Sequence, residues 1–361
     1  MFLAIRELTH AKFRYILISV IMVLIAMLIF IISGLAQGLS SDNASAVQNL
    51  QADYLVLEKD VEHKITRSLF PADKLETIQE TEGVEAAVTL SVNMTSATEK
   101  GSDKQIDVAL FTTDENSMLI PEVSSGETFS APGQSELILD DSMKQEGVRL
   151  GDELQLGGSD QIFTVVGFTE KSRFSHTPVA YVGSGALGAS NGKISAVALQ
   201  VAEGKSETVK SELSGDFDIL TKDELLKGIP GYSQEQASLT MMIVFLFVIG
   251  TFVLAVFFYV LTLQKTDQFG VLKALGTKTS YLIRNAISQV VLISVICIGI
   301  ALGLTYGAAT LFPKDLPFVL NITNMLQFST VLLVVTILGS LLSLIQIVKV
   351  DPIQAIEGGA N

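Results

Sequence analysis

The stretch QKTDQFGVLKALGTKTSYLIRN, residues 264–285, lies between two long apolar runs and decides how the rest of the chain is read. Residues 239–263 before it and 286–312 after it contain no Asp, Glu, Lys or Arg. About 20 apolar residues cross a hydrocarbon core, so both runs are expected to be membrane helices with the stretch as the tip of their hairpin. Within it, Leu272, Leu275, Thr279 and Leu282 follow the spacing of one helix face. Lys265, Lys273, Lys278 and Arg284 stand around that face, opposed only by Asp267. Two readings fit such a tip: a helix resting on lipid headgroups, or a helix gripped by another protein.

Working outward, residues 1–14 (MFLAIRELTHAKFR) place Phe2, Leu3, Ile5 and Leu8 at helical spacing beside Arg6, Lys12 and Arg14, and predict an interfacial helix. Residues 15–37 follow without a charge and predict the first span. Small residues at 34–36 would suit signal cleavage, but the apolar region exceeds the roughly 7–15 residues of a signal core. A second span covers 239–263, a third 286–312 and a fourth 325–348, with an external turn at 313–324 and a tail at 349–361. Basic residues flank the amino end, so the positive-inside rule puts the N-terminus in the cytosol. An even number of spans then places both termini and the 264–285 loop inside, and residues 38–238 outside.

The net charge of −14 is unevenly placed: residues 38–238 carry −18 and the remainder +4. That balance argues against nucleic acid as a partner. The single cysteine, Cys297, excludes an intramolecular disulfide and a two-cysteine metal site. The insert reads as mixed α/β. Strands are expected near 52–58, 85–92, 136–139, 179–182 and 195–201, and helices near 71–81, 140–146 and 206–214. The clearest local signal is DELQLGGSDQIFTVVGF (152–168), where Leu154/Leu156 and Ile162/Thr164/Val166 alternate about a small polar turn at 157–160. The fold class is therefore an α+β membrane protein, with four transmembrane helices and a large mixed α/β extracytoplasmic domain inserted between the first two.

The spans contain no Asp, Glu, Lys, Arg or His, which argues against a proton relay or a self-sufficient carrier. A P-loop is also missing: Gly270 to Gly276 followed by Thr277, Lys278 and Thr279 has the wrong spacing. No HExxH, GxSxG or CxxC occurs, so the chain is expected to be non-catalytic and any energy to come from a partner. Gly299, Gly303 and Gly307 form a doubled GxxxG that lets a helix approach closely; packing within the chain is expected over packing between subunits.

Three segments then carry a resemblance. QFGVLKALG (268–276) resembles the "IGxLKALG" segment, and VDPIQAIE (350–357) the "DPxxAI" ending, of FtsX/MacB-type ABC transporter permeases. Residues 137–168 resemble the strand, helix, "GD", hairpin and "VVGF" pattern of the MacB-like periplasmic core. One span, a large outer domain and three further spans agree with that family, although FtsX has a smaller outer domain and MacB a fused ATPase that this sequence lacks. The resemblance implies two copies of a cytosolic ABC ATPase that bind the ATP, met by Phe269, Leu272, Lys273, Leu275 and Gly276. It implies no intrinsic cofactor, and a multi-pass place in the cell membrane of a bacterium, in contact with lipid.

A narrower likeness lies in KFRYILISVIMVLIAMLIFIISGLAQGL (12–39) and YSQEQASLTMMIVF (232–245), which resemble the haem-efflux permeases of Gram-positive bacteria, the HrtB type. That implies a homodimer and haem as transported substrate, taken from the outer leaflet and expelled outward. Haem needs a flat apolar slot, an axial ligand such as His, Tyr or Met, and a partner for its propionates. Tyr232, Glu235, Met241, Met242, Phe30 and His176 are the candidates. Each has an ordinary alternative: Tyr232 as an interfacial anchor, the methionines as packing, and His176 as a solvated loop residue. Two other functions fit the residues, namely export of another amphipathic cargo (a peptide, antibiotic or lipid) and a non-transporting mechanotransmitter acting on an extracellular enzyme.

Overall fold

The computed structural model describes residues 12–101, 104–157, 160–187, 193–313 and 316–349. The amphipathic segment at 1–11 and the 350–357 motif lie outside the described residues. In chain order the helices are α1 (Lys12–Gln48), α2 (Lys74–Gln79), α3 (Ser206–Leu213), α4 (Lys222–Gly228), α5 (Tyr232–Leu263), α6 (Thr266–Ala274), α7 (Thr279–Ala309) and α8 (Ile322–Lys349). The chain divides into two compact units, Leu39–Gln236 and the remainder. Among the described residues four helices, α1, α5, α7 and α8, are long and apolar enough to cross a membrane.

In the membrane unit, α1 is the packing centre. Its Tyr15, Ile18 and Met22 are buried with Leu254 and Phe258 of α5 and with Val290, Ile293 and Cys297 of α7. Further along, Ala26, Ile29 and Phe30 pack with Ile298, Ala301 and Leu332. Phe30 is 1 % exposed. It is interior packing, which corrects the expectation that it faces cargo: one helix face cannot both fill the bundle and line an open slot.

Glycines at four-residue spacing act where the sequence reading did not place them. A Cβ at Gly34 would lie 2.5 Å from the Phe318 ring, and one at Gly38 only 2.0 Å from the Pro317 carbonyl oxygen. The Val319 amide donates to the Gly34 carbonyl at 3.0 Å. The segment before α8 is thus seated on α1 through two missing side chains. By contrast, a Cβ at Gly299, Gly303 or Gly307 meets nothing within 4 Å among the described residues. The expectation of packing within the chain is corrected, because α7 turns Cys297, Ile298, Ala301 and Thr305 inward and leaves its glycines on another face. Gly38→Ala should therefore cost about 1–3 kcal/mol by overpacking and lower the melting temperature of the detergent-purified protein. Gly303→Ala should leave that temperature unchanged or slightly raised.

The inserted unit holds an eleven-stranded sheet among the described residues, along the path β13-β1-β12-β3-β4-β10-β6-β8-β5. These strands are β1 (Tyr54–Glu58), β3 (Val84–Glu99), β4 (Gln105–Thr113), β5 (Val123–Gly126), β6 (Glu136–Asp140), β7 (Glu153–Leu156), β8 (Ile162–Thr169), β9 (Arg173–Phe174), β10 (Thr177–Gly183), β12 (Ala196–Val201) and β13 (Phe217–Leu220), with β7 and β9 pairing off the path. The sixteen-residue β3 joins two lobes. Its first half pairs with β12 and its second half with β4. On one side Val56, Ile78, Val197 and Val209 form a core beneath α2 and α3; on the other, Leu137, Leu139, Phe163 and Val165 form a second core.

The hairpin expected at 152–168 forms, with Leu154 opposite Phe163. Its inward face differs from the alternation read at 162, 164 and 166. Phe163 and Val165 are buried while Ile162 is exposed. On a strand the side-chain period is two, so parity is set by which set has a core to enter. Phenylalanine supplies the larger apolar area and wins.

Candidate functional site

The chemistry-bearing residues of the inserted unit converge on a two-residue turn. β9 and β10 are antiparallel, with Phe174 opposite Thr177, so Ser175 and His176 alone make the connection. Both have positive φ, 51° and 62°, as a type I′ hairpin requires, where Asn-Gly is the favoured pair. Left-handed backbone at a non-glycine residue costs roughly 1–2 kcal/mol, so surrounding contacts must hold the turn. Phe174 anchors it, buried with its ring 5.6 Å from that of Phe111. The Ser175 amide donates to the Asn43 carbonyl at 2.6 Å, and the Arg173 amide to Ser45 Oγ at 3.0 Å. Arg173 Nε lies 2.8 Å from Asp42 Oδ1, and its guanidinium also donates to the His176 carbonyl.

The turn thereby grips the last turns of α1, and the His176 ring links them to α5. Nδ1 lies 2.7 Å from Asp42 Oδ2, and Nε2 lies 3.0 Å from Glu235 Oε1. Asn43 Nδ2 donates to Glu235 Oε2 at 3.0 Å, and the Tyr232 and Ser40 hydroxyls are 3.0 Å apart. Two carboxylates thus meet one guanidinium and one imidazole. Burial alone would lower the His176 pKa, but its hydrogen bonds to Asp42 and Glu235 outweigh it and raise the value above 6.5. Asn43 is fully buried, and its Oδ1 accepts no hydrogen bond among the described residues. A buried acceptor left unpaired is a local cost, concentrated here beside Glu235.

The 264–285 stretch has a different construction from the single helix face expected. α6 ends at Ala274, and Gly276 takes a φ of 89°. The Thr277 amide donates to the Leu272 carbonyl and the Gly276 amide to that of Lys273, both at 3.0 Å. This is a Schellman stop, for which glycine is the preferred residue. α7 then starts at Thr279, so Leu272 and Leu282 belong to two helices facing each other. Phe269 and Leu282 are buried there, with Leu272, Ile283 and Ala286 packed around them. Leu275 is left 78 % exposed beside the exposed Val271. Lys273 Nζ donates to the Val348 carbonyl at 3.2 Å, at the end of α8.

Comparison with known proteins gives this arrangement a family. Residues 240–352 match the model of the FtsX-like permease C-terminal domain. Over 357 residues and 99 % of both chains, the sequence is 30 % identical to a Staphylococcus epidermidis protein that carries the name hemin transport system permease protein HrtB. It is also 30 % identical over 358 residues, again 99 % of each chain, to a protein of that name from Staphylococcus haemolyticus. The chain belongs to the FtsX-like ABC transporter permeases of the HrtB type. Among solved structures, the periplasmic region of MacB from Actinobacillus actinomycetemcomitans is 12 % identical, covering 51 % of this chain and 97 % of that one, at a TM-score of 0.39. At that score the likeness is slight, and membership stands on the full-length relatives.

The permease is a multi-pass membrane protein of a kind that works with a cytosolic ATPase. Of its candidate cargo residues, Tyr232, Glu235 and His176 come together in the inserted unit. Met241 and Met242 lie further along α5, in the membrane unit, and are exposed there; Phe30 is in the bundle interior. His176 is not a free loop residue, since both ring nitrogens meet carboxylates. Ser40, Asp42 and Asn43 do not stand out in the sequence, because a polar run after a span reads as a loop. The available signal was Ala44, Ala46 and Val47, whose burial continues α1 to Gln48.

Proposed function

We propose that the permease exports haem, driven by a separate cytosolic ATPase. The full-length relationship to proteins named as hemin transport permeases supports the cargo. The observation in the molecule that carries the reading is the head of α5, where a phenol and a carboxylate, Tyr232 and Glu235, stand one turn apart, with His176 on Glu235 and Arg173 on Asp42, the other carboxylate that His176 meets. Tyrosine oxygen is a known type of haem iron ligand, and cations suit the propionates. In the described conformation both groups are held by α1 and by His176, so cargo entry exchanges those contacts for haem.

In this reading two copies of the chain assemble, with residues 264–285 and both termini in the cytosol and the inserted domain outside. ATP-driven closure of the two ATPases moves the α6 tip, α5 carries the movement outward, and a slot between the first and second spans of the two copies is squeezed shut. The chain itself performs no catalysis.

Two measurements test the cargo. Cells lacking the permease should accumulate haem and lose haem tolerance; unchanged accumulation and tolerance would sink the assignment. Titration of the purified permease with hemin should shift the Soret band, and Tyr232→Phe together with Glu235→Gln should abolish the shift. A shift that survives both changes would remove these two residues from the site.

A further inference from the structure

Tyr15 of α1, Lys265 in the link between α5 and α6, and Gln289 of α7 meet inside the membrane unit, each touching the other two. Gln289 Nε2 donates to Tyr15 Oη at 2.6 Å. Lys265 Nζ lies 3.4 Å from Gln289 Oε1 and 5.5 Å from the centroid of the Tyr15 ring. Tyr15 is 5 % exposed and Gln289 8 %. They stand among Phe258, Leu261, Val290 and Ile293, around a void of about 30 Å³. A buried amide in such surroundings is costly unless bonded, and an aliphatic residue would pack there without that demand. The triad therefore does something that simple packing does not.

Its position suggests what that is. Lys265 immediately precedes α6, and α6 is held at its other end by Lys273 on the Val348 carbonyl. A tilt or shift of α6 thus displaces an ammonium bonded to Gln289 and stacked on Tyr15. Tyr15 belongs to α1, whose last turns carry Asp42 and Asn43.

We propose that Lys265, Gln289 and Tyr15 are positioning residues that pass the movement of α6 to α1, so that the first span follows the ATPase cycle directly. This rests on α6 being the ATPase-facing helix. Hydrogen bonds and a cation–π contact are directional, whereas apolar side chains slide past one another, so the triad couples the helices where methyl groups would slip.

The test uses the permease with its bound ATPase in lipid nanodiscs, and nucleotide rather than hemin, so it does not depend on the cargo. A cysteine at Ala36→Cys in α1 reports its maleimide labelling rate without nucleotide and with ATP plus vanadate. The parent should change rate with nucleotide, and Gln289→Leu and Tyr15→Phe should each lose that change while keeping bound ATPase and basal ATP hydrolysis. Gln289→Glu, whose carboxylate accepts from the Lys265 ammonium and, with the bond reversed, from the Tyr15 hydroxyl, should keep it. A full nucleotide response in Gln289→Leu and Tyr15→Phe overturns the proposal, as does a parent that shows none. Loss of bound ATPase in Tyr15→Phe, which removes a single oxygen, also overturns it, since the triad would then be structural. A permease that fails to bind hemin yet gives the expected labelling pattern loses the haem assignment alone.

Discussion

Leu275→Asp is expected to strip the ATPase from the permease while leaving the permease folded. Leu275 is 78 % exposed, just beyond the end of α6 and beside the exposed Val271. A large apolar side chain held in water at a helix stop contributes little to the fold, so the change should leave the melting temperature within experimental scatter. At an interface the same change removes an anchor and introduces an unpaired carboxylate, worth about 2–4 kcal/mol for a central residue, or roughly 30- to 1,000-fold in Kd. Co-purification of the ATPase measures it directly, and normal recovery would take the docking role away from Leu275. Leu272→Asp makes an instructive contrast. Leu272 packs against buried Phe269 and Leu282, so that change should lower the melting temperature as well as ATPase recovery. Of the five residues expected to meet the ATPase, Leu275 is the most exposed large apolar side chain and offers a test free of folding.

His176→Asn is expected to loosen the tie between α1 and α5 and to remove its pH dependence. Asparagine tolerates left-handed backbone, so the turn keeps its shape while the imidazole is lost. The groups facing His176 are Asp42 and Glu235, with Arg173 on the other oxygen of Asp42. Because the folded pKa of His176 is raised above 6.5, its stabilising contribution is complete below about pH 6.5 and is lost as pH rises through the folded value. The wild-type cluster should thus be tighter under mildly acidic conditions and relax in alkali. Each pair is partly in water, so the loss on removing the ring should be on the order of 1 kcal/mol. Hydrogen exchange at the Arg173 and Ser175 amides, corrected for intrinsic rate, reads it locally: protection should fall from about pH 6 to pH 9 in wild type and stay flat in the variant. Equal pH profiles in the two proteins would dismiss His176 as the titrating link.

The elements that were legible beforehand share one cause. Four uncharged runs of membrane-spanning length, individual strands of the insert and the hairpin at 152–168 follow from local composition and period, which act along the chain. The family resemblance added the ATPase partner on the strength of QFGVLKALG. What failed was decided by choice among equivalent faces. Gly299, Gly303 and Gly307 have the spacing for close packing, yet Gly34 and Gly38 took that role because the 317–318 backbone descends onto α1. Phe30 has the chemistry of a slot wall and lies in the bundle core.

Leu272, Leu275, Thr279 and Leu282 repeat as one face, but the glycine at 276 turns the chain between them, and only the fold shows that two of the leucines face each other while one faces water. Ser40, Asp42 and Asn43 stand some 130 to 195 residues from the groups they bind, beyond the reach of any local pattern. By itself the sequence determined a four-span permease with an inserted α/β domain, because the burial of apolar runs is a local demand. Tertiary structure alone decided which side chains meet, because pairing an amide, an imidazole or a glycine face depends on which distant segment arrives there.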